Sequence, residues 1–207
     1  MPFSTQNKKY SPVGGYTVVE LVVAVGLFVT VALISSNAFL GVMSSNRKTL
    51  AVRTSMDNLN SAIESMSRKM KTGFSYHCGV SGSVSAPQDC PSGDSYIALE
   101  GQNGNPNISS DQVVYRLGPA GALCPSPKQI CFSTDGGATF FALTAAPPEL
   151  SIDGLAFRVY GAPADDSPSL PKQPRIVIVI IGSAGVGISK STFNVETTIS
   201  QRIPDFP

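Results

Sequence analysis

The sequence predicts an α+β chain. A long N-terminal helix, membrane-spanning in its first half and amphipathic in its second, should pack on an antiparallel β-sheet head. Three observations carry this expectation. A nearly uncharged apolar run covers residues 21–43, and an apolar stripe at helical spacing follows it. Beyond residue 73 come short apolar or alternating runs between turn signals, in a chain with 19 glycines and 16 prolines among 207 residues.

Between 21 and 43 the clearly polar side chains are Thr30, Ser35, Ser36 and Asn37. As a helix this run spans ~34 Å, slightly more than a hydrocarbon core of ~30 Å. Valine is a mediocre helix former in water, but a backbone in lipid must satisfy its own hydrogen bonds, and that requirement outweighs the propensity. Lys8 and Lys9 precede the run with no acid beside them, so the N-terminal side should remain cytoplasmic and the head should be exported. Glu20 stands at the start of the run, where a carboxylate is costly.

The next stretch prolongs the helix. Val52, Met56, Leu59, Ile63, Met66 and Met70 recur at spacings of three and four, which places them on one face. Glu64 and Arg68 form an i, i+4 pair, Lys69 and Lys71 sit where the helix dipole favours cations, and Gly73 is a natural stop. No proline occurs from Tyr16 to Thr72, although Gly26, Gly41 and the Ser-Ser-Asn at 35–37 weaken the helix. One helix of ~85 Å follows from the rise per residue. A coiled-coil seam is the competing reading of the stripe, but it is short and a β-rich segment follows at once.

Charge divides the chain. The net charge is +1. The stalk, 44–72, carries six bases against Asp57 and Glu64, whereas residues 73–207 carry seven bases and eleven acids. This balance gives no bulk attraction for nucleic acid, and no specific nucleic-acid partner is expected. All four cysteines, Cys78, Cys90, Cys124 and Cys131, lie in the head, and no Cys-x-x-Cys pair suggests zinc. Two disulfides in an oxidising compartment fit better. Three connectivities are possible, and loop-closure entropy favours Cys78–Cys90 with Cys124–Cys131.

Strands are expected at 95–100, 112–117, 129–133, 139–143, 150–160, 175–181 and 192–203. In the last, Phe193, Val195, Thr197 and Ile199 alternate with Asn194, Glu196, Thr198 and Ser200, the pattern of a half-buried strand. The run RIVIVII at 175–181 is too short to span a membrane and reads as a central strand. These runs lie close together without helical patterns between them, which implies antiparallel pairing.

Several motifs imitate chemistry. The glycines of VIIGSAGVGISKS at 179–191 lack the Gly-Lys-Ser/Thr of a phosphate loop, so a hairpin is expected. STDGGATF at 133–140 matches the Asp-box pattern of propeller enzymes in a single copy, and Asp135, Gly136 and Gly137 suit a tight hairpin. His77, the only histidine, is expected in a solvated loop beside Cys78. PADDSPSLP at 163–171 offers two carboxylates, too few for calcium. Asn107-Ile108-Ser109 is a formal glycosylation sequon. No catalytic constellation, cofactor or metal site is expected.

The stretch GGYTVVELVVAVGLFVTVALI resembles the prepilin-type segment of type IV pilins and type II secretion pseudopilins. A short basic leader, Gly15 before the cut, aromatic Tyr16 as first mature residue and Glu20 as fifth match that family in order. Tyr16 departs from its usual Phe, and Asn37 stands where major pilins usually have a helix proline. More loosely, MDNLNSAIESMSRKMKTG and the closing FNVETTISQRI are similar to larger minor pilins and pseudopilins.

The resemblance implies a leader at 1–15, a transmembrane and filament-core helix at 16–43, an amphipathic helix at 44–72 and a disulfide-containing head at 73–207. A prepilin peptidase would cut after Gly15 and methylate the amine of Tyr16. The subunit would wait as a single-pass inner-membrane protein in contact with lipid. An assembly platform would then pass it into a filament of other pilin or pseudopilin subunits, periplasmic or on the cell surface. There Glu20 would neutralise a neighbour's Tyr16 amine, since a buried charge is tolerable when paired. The expected function is therefore a non-enzymatic minor pilin or pseudopilin. The alternatives are a major pilin, or a secreted binding domain behind an ordinary signal peptide cut after Ser36-Asn37-Ala38, leaving Phe39 first.

Overall fold

A computed structural model describes residues 14–81, 83–118, 124–163, 173–185 and 190–202. Lys8, Lys9, most of the leader, most of the acidic loop at 163–171, residues 186–189 of the Gly-rich loop and Ile203 lie outside the described residues. The chain divides into two compact units, 1–46 and 47–207. Among the described residues one α-helix, α1 (Val18–Thr72), contributes to both.

In the first unit α1 is exposed along nearly its whole length. It is the one described helix long and apolar enough to cross a membrane, with a mean hydropathy of 2.6 over its best 18 residues.

The second unit is α+β, as expected. Its eight described strands are β1 (Phe74–Cys78), β2 (Tyr96–Glu100), β3 (Val113–Leu117), β4 (Ile130–Ser133), β5 (Phe141–Ala142), β6 (Leu150–Tyr160), β7 (Arg175–Ala184) and β8 (Ser191–Ser200). They form two antiparallel meanders rather than one sheet, a five-stranded sheet in the order β1-β2-β3-β4-β5 and a three-stranded sheet in the order β6-β7-β8. β7 is central, as its unbroken apolar run predicts, and it extends three residues beyond the expected end. β8 alternates half-buried and exposed positions with Phe193, Val195 and Thr197 on the inner side and Ile199 fully buried.

The strand that escapes the sequence pattern is β1. Its residues FSYHC contain a positive φ of 51° at Ser75, and its pairing with β2 shifts register between Phe74 and His77. A bulged five-residue strand leaves no clean alternation to read. The β4–β5 hairpin is also shorter than expected, since β5 holds two residues. Between its strands Gly136 and Gly137 adopt φ of 69° and 92°. Side chains other than glycine rarely occupy that region. Ser133 and Asp135 bond the turn internally.

The principal core joins the helical stripe to both sheets. Leu59, Met66 and Met70 are fully buried with Ile97, Leu99, Tyr115, Ile130, Leu150, Phe157, Ile178 and Ile180, while Met56 and Ile63 pack at the margin. Sequence periodicity identifies these helical positions. It passes over Ser55 and Ala62, small residues buried along with the stripe. A second cluster, with Ala98, Val114, Cys131 and Phe140, lies on the other side of the five-stranded sheet, so both faces of that sheet are covered. The two sheets are tied by backbone: Asp94 and Phe157 exchange hydrogen bonds of 3.0 and 2.7 Å.

Two disulfides link Cys78 to Cys90 and Cys124 to Cys131, with Cα separations of 5.7 and 6.1 Å. The first ties the end of β1 to the loop before β2, and the second ties β4 to the segment before it.

Gly73 ends α1, as expected, without a left-handed backbone. Its φ is not positive, but a Cβ there would stand 2.7 Å from the Glu100 carbonyl oxygen and collide with the Leu99 side chain. Bare backbone is needed because β2 passes against it. The orphan carbonyls at the helix end are satisfied from the sheets. The Tyr76 hydroxyl lies 2.6 Å from Met70 O and 2.7 Å from Gly73 O, Arg202 N donates to Lys71 O at 2.8 Å, and Gln201 Nε2 donates to Gly73 O at 3.1 Å.

Candidate functional site

The segment that carries the strongest sequence signal lies at the start of the first unit. Gly14 and Gly15 precede α1, and beyond the adjoining residues no described atom stands within 4 Å of where a Cβ would be at either position. Tyr16 is 84% exposed. Thr17 opens the helix: its Oγ1 accepts from Glu20 N at 3.3 Å and its carbonyl accepts from Leu21 N at 3.1 Å. A hydroxyl at this position satisfies an amide that has no partner within the helix.

Glu20 is in the first turn of α1, where the positive end of the helix dipole favours an acid. Its side chain is exposed, and with Tyr16, Leu21, Ala24, Val25 and Phe28 it borders a shallow groove of about 530 Å³. The groove is apolar apart from this carboxylate and the phenol. It therefore combines a surface that water disfavours with an anion that wants a counter-charge. Gly15, Tyr16 and Glu20 thus fall within six consecutive residues at one accessible end of the apolar helix.

Further along this unit, three polar side chains engage their own helix. Thr30 Oγ1 donates to Leu27 O at 2.8 Å, Ser36 Oγ to Ala32 O at 2.8 Å and Ser44 Oγ to Gly41 O at 2.9 Å. Such back-bonding removes the need for an outside partner in an apolar medium.

Two further motifs, His77 and the stretch 133–140, have structural roles. His77 is not in a solvated loop. It lies in β1 with 1% exposure, and its Nδ1 and Nε2 stand 2.7 Å from Ala86 O and 3.0 Å from Ser81 O. The ring pins the loop that the Cys78–Cys90 bond closes, and the adjacent cysteine was the signal for burial. Asp135 accepts from Thr139 N at 2.9 Å and bonds Ser133 Oγ at 2.5 Å. These bonds hold its carboxyl down to about 2 against an ordinary 3.8, led by the one to Ser133. The Asp-box resemblance therefore marks a hairpin.

Sequence reasoning missed a cavity of about 290 Å³ beside α1, bordered by Ala51, Thr54, Ser55, Asn58, Ala145, Glu149 and Gly185. Ser55 Oγ donates to Glu149 O at 2.9 Å and Asn58 Oδ1 accepts from Ala145 N at 2.8 Å, so these two helical side chains clamp the segment 145–149. Their polarity on a buried face was the available signal.

No family model, curated protein or solved structure matches the chain.

Proposed function

We propose that this chain is a filament subunit of the pilin-like class, anchored in a membrane by its N-terminal helix before assembly. Within that class the features fit a minor pilin or type II secretion pseudopilin, acting as a structural protein and not an enzyme. The observation that carries the reading is Gly15-Tyr16 followed by Glu20 in the first turn of a helix that is exposed, apolar and long enough to span a bilayer.

In this reading prepilin peptidase cuts the accessible Gly15–Tyr16 bond and the new Tyr16 amine is methylated. The cleaved subunit is held by lipid, engages an inner-membrane assembly platform, and docks on other subunits through α1. The Tyr16 amine is a cation at the edge of an apolar surface. The Glu20 carboxylate of a neighbouring subunit is the partner that makes its burial tolerable. The disulfide-tied head is the exported part. Absence of proline from α1 favours a minor over a major pilin.

Mass spectrometry of the mature protein tests this. The expected N-terminus is methylated Tyr16 in membranes and in sheared filaments. A mature N-terminus at Phe39 would instead establish an ordinary secreted domain, and an uncut leader in filaments would exclude prepilin processing.

A further inference from the structure

His77 is the only histidine in the chain, and it is buried under the strap 79–89 that the Cys78–Cys90 bond closes. In the strand pairing it stands opposite Ala98 of β2, a member of the second core cluster, and paired residues share a face. The strap lies over this face, with Val84 packed on the cluster. Three of its carbonyls meet side chains of the sheet. Gln112 Nε2 donates to Val84 O at 2.9 Å. The His77 ring takes the other two, with Nδ1 2.7 Å from Ala86 O and Nε2 3.0 Å from Ser81 O. A carbonyl oxygen only accepts. A neutral imidazole has one N–H, so it donates to one of these oxygens and turns a lone pair toward the other, whereas an imidazolium donates to both. The two contacts together fit the cation. Loss of one proton replaces a charge-assisted hydrogen bond with a repulsive contact. Histidine is the side chain that gains and loses this proton between about pH 5 and 8.

Other titratable and charged groups surround this face. Tyr96 and Glu100 flank Ala98 on β2, Arg116 lies one strand further on β3, Asp89 ends the strap and Asp94 precedes β2. The charged ones have other partners. Asp89 accepts from Gly161 N and Ala162 N at 2.9 and 2.7 Å, Asp94 from Tyr96 N at 3.0 Å and Glu100 from Gln112 Nε2 at 2.8 Å. Arg116 stacks on Phe140. Among the described residues none of these acids forms an ion pair with His77. The two strap carbonyls are therefore what answers a charge on the ring.

We propose that His77 is a proton switch on the strap. Charged, it bonds Ser81 O and Ala86 O together. Neutral, it keeps the shorter bond to Ala86 O and releases Ser81 O. The opening is local. Gly79 N still donates to Tyr96 O, Val84 O still accepts from Gln112, and the disulfide still ties the strap to β1. The part set free holds Ser81 and Val80, the latter already 74% exposed. Acidity thus tightens, and its absence loosens, the cover over one face of the five-stranded sheet.

The test uses the full chain in detergent. With one histidine in the sequence, isotopic labelling of that residue type gives a single ring to follow by NMR. Both ring nitrogens should carry protons at pH ~5.5 and Nδ1 alone at pH ~8.5, the two sides of histidine's range. Hydrogen exchange, corrected for the intrinsic effect of pH, reads the strap at Ala86 N, which donates to Ser83 O at 2.8 Å. That amide should exchange about 3–10-fold faster at the higher pH, while β2 and β3 amides keep their protection. His77→Gln, neutral at every pH, should abolish the difference. Glu100→Gln should preserve it, which separates the ring from a carboxyl that burial pushes up. A ring in one protonation state at both pH values, equal protection of the strap at both, or a difference that survives in His77→Gln would each overturn the proposal. Should His77→Gln fail to fold, the ring signals and Glu100→Gln decide, and a difference lost in Glu100→Gln overturns it.

Discussion

The Tyr76 hydroxyl stands 2.6 Å from the Met70 carbonyl oxygen, both groups fully buried, so that the first strand of the head finishes the last turn of the helix that precedes it. Helix and sheet are thereby coupled at a point where neither could satisfy its own polar groups. Tyr76→Phe keeps the ring and removes the donor. It should lower stability by about 1–3 kcal/mol, because Met70 O loses a buried partner. Denaturant unfolding should show a lower midpoint at unchanged slope.

Gly73→Ala should be at least as damaging although it adds only a methyl. The clash is with the Glu100 carbonyl, which belongs to a central strand and cannot move aside as a side-chain tip could. Overpacking of this kind costs about 1–3 kcal/mol. A neutral result in the same unfolding measurement would show that the helix end can shift away from β2.

The two disulfides close loops with sequence separations of 12 and 7. Each should contribute about 2–3 kcal/mol in the chain-entropy picture, the longer loop slightly more. Paired Cys→Ser variants compared by thermal unfolding check the sizes, and peptide mapping without reductant checks the pairing in exported protein.

Asp135 gives the hairpin a pH dependence. Its carboxyl is held down to about 2 in the fold against 3.8 ordinarily, so the folded form favours the charged acid. The contribution is complete above pH ~4 and is lost as pH falls from there toward 2. Asp135→Asn should remove this component of acid sensitivity and leave stability near neutral pH lower than in the natural protein. An unchanged acid transition would show that the turn bonds do not depend on the charge.

Glu20→Gln tests the proposed assembly charge. It preserves shape and removes charge, so cleavage after Gly15 and the head fold should be unaffected. Entry into filaments should fall by orders of magnitude, since breaking a buried ion pair costs about 3–5 kcal/mol. The measurement is the ratio of variant in sheared filaments to variant in membranes. Filament entry equal to that of the natural protein would mean that Glu20 is not paired with an amine.

What could be read in advance followed from period. The helical stripe ending at Met70 and the alternation of β8 were legible because each element buries one face of a regular geometry. β1 was not, because a bulge at Ser75 breaks its alternation. The division into two sheets was not legible either, since β5 and β6 follow one another in the chain yet lie in different sheets, and the strand patterns do not show that break. The N-terminal segment was legible as a linear motif, because a glycine, an aromatic and an acid at set spacing need no tertiary contact. The hydrogen bond of 2.8 Å from Gln112 Nε2 to Glu100 Oε1, between two buried side chains, is opposite in kind. Its two residues are separated by a long loop, and only the register of β2 on β3 brings them together.

The hydroxyls of Thr30, Ser36 and Ser44, each bonded to a carbonyl of its own helix, give the apolar segment an indifference to its surroundings. At these three positions the helix can exchange hydrocarbon chains for protein side chains, and back, without any hydrogen bond being broken or sought. The traffic between the two environments then has no polar toll along these three positions, and Glu20 is left as the side chain near the helix start for which the two environments are not equivalent.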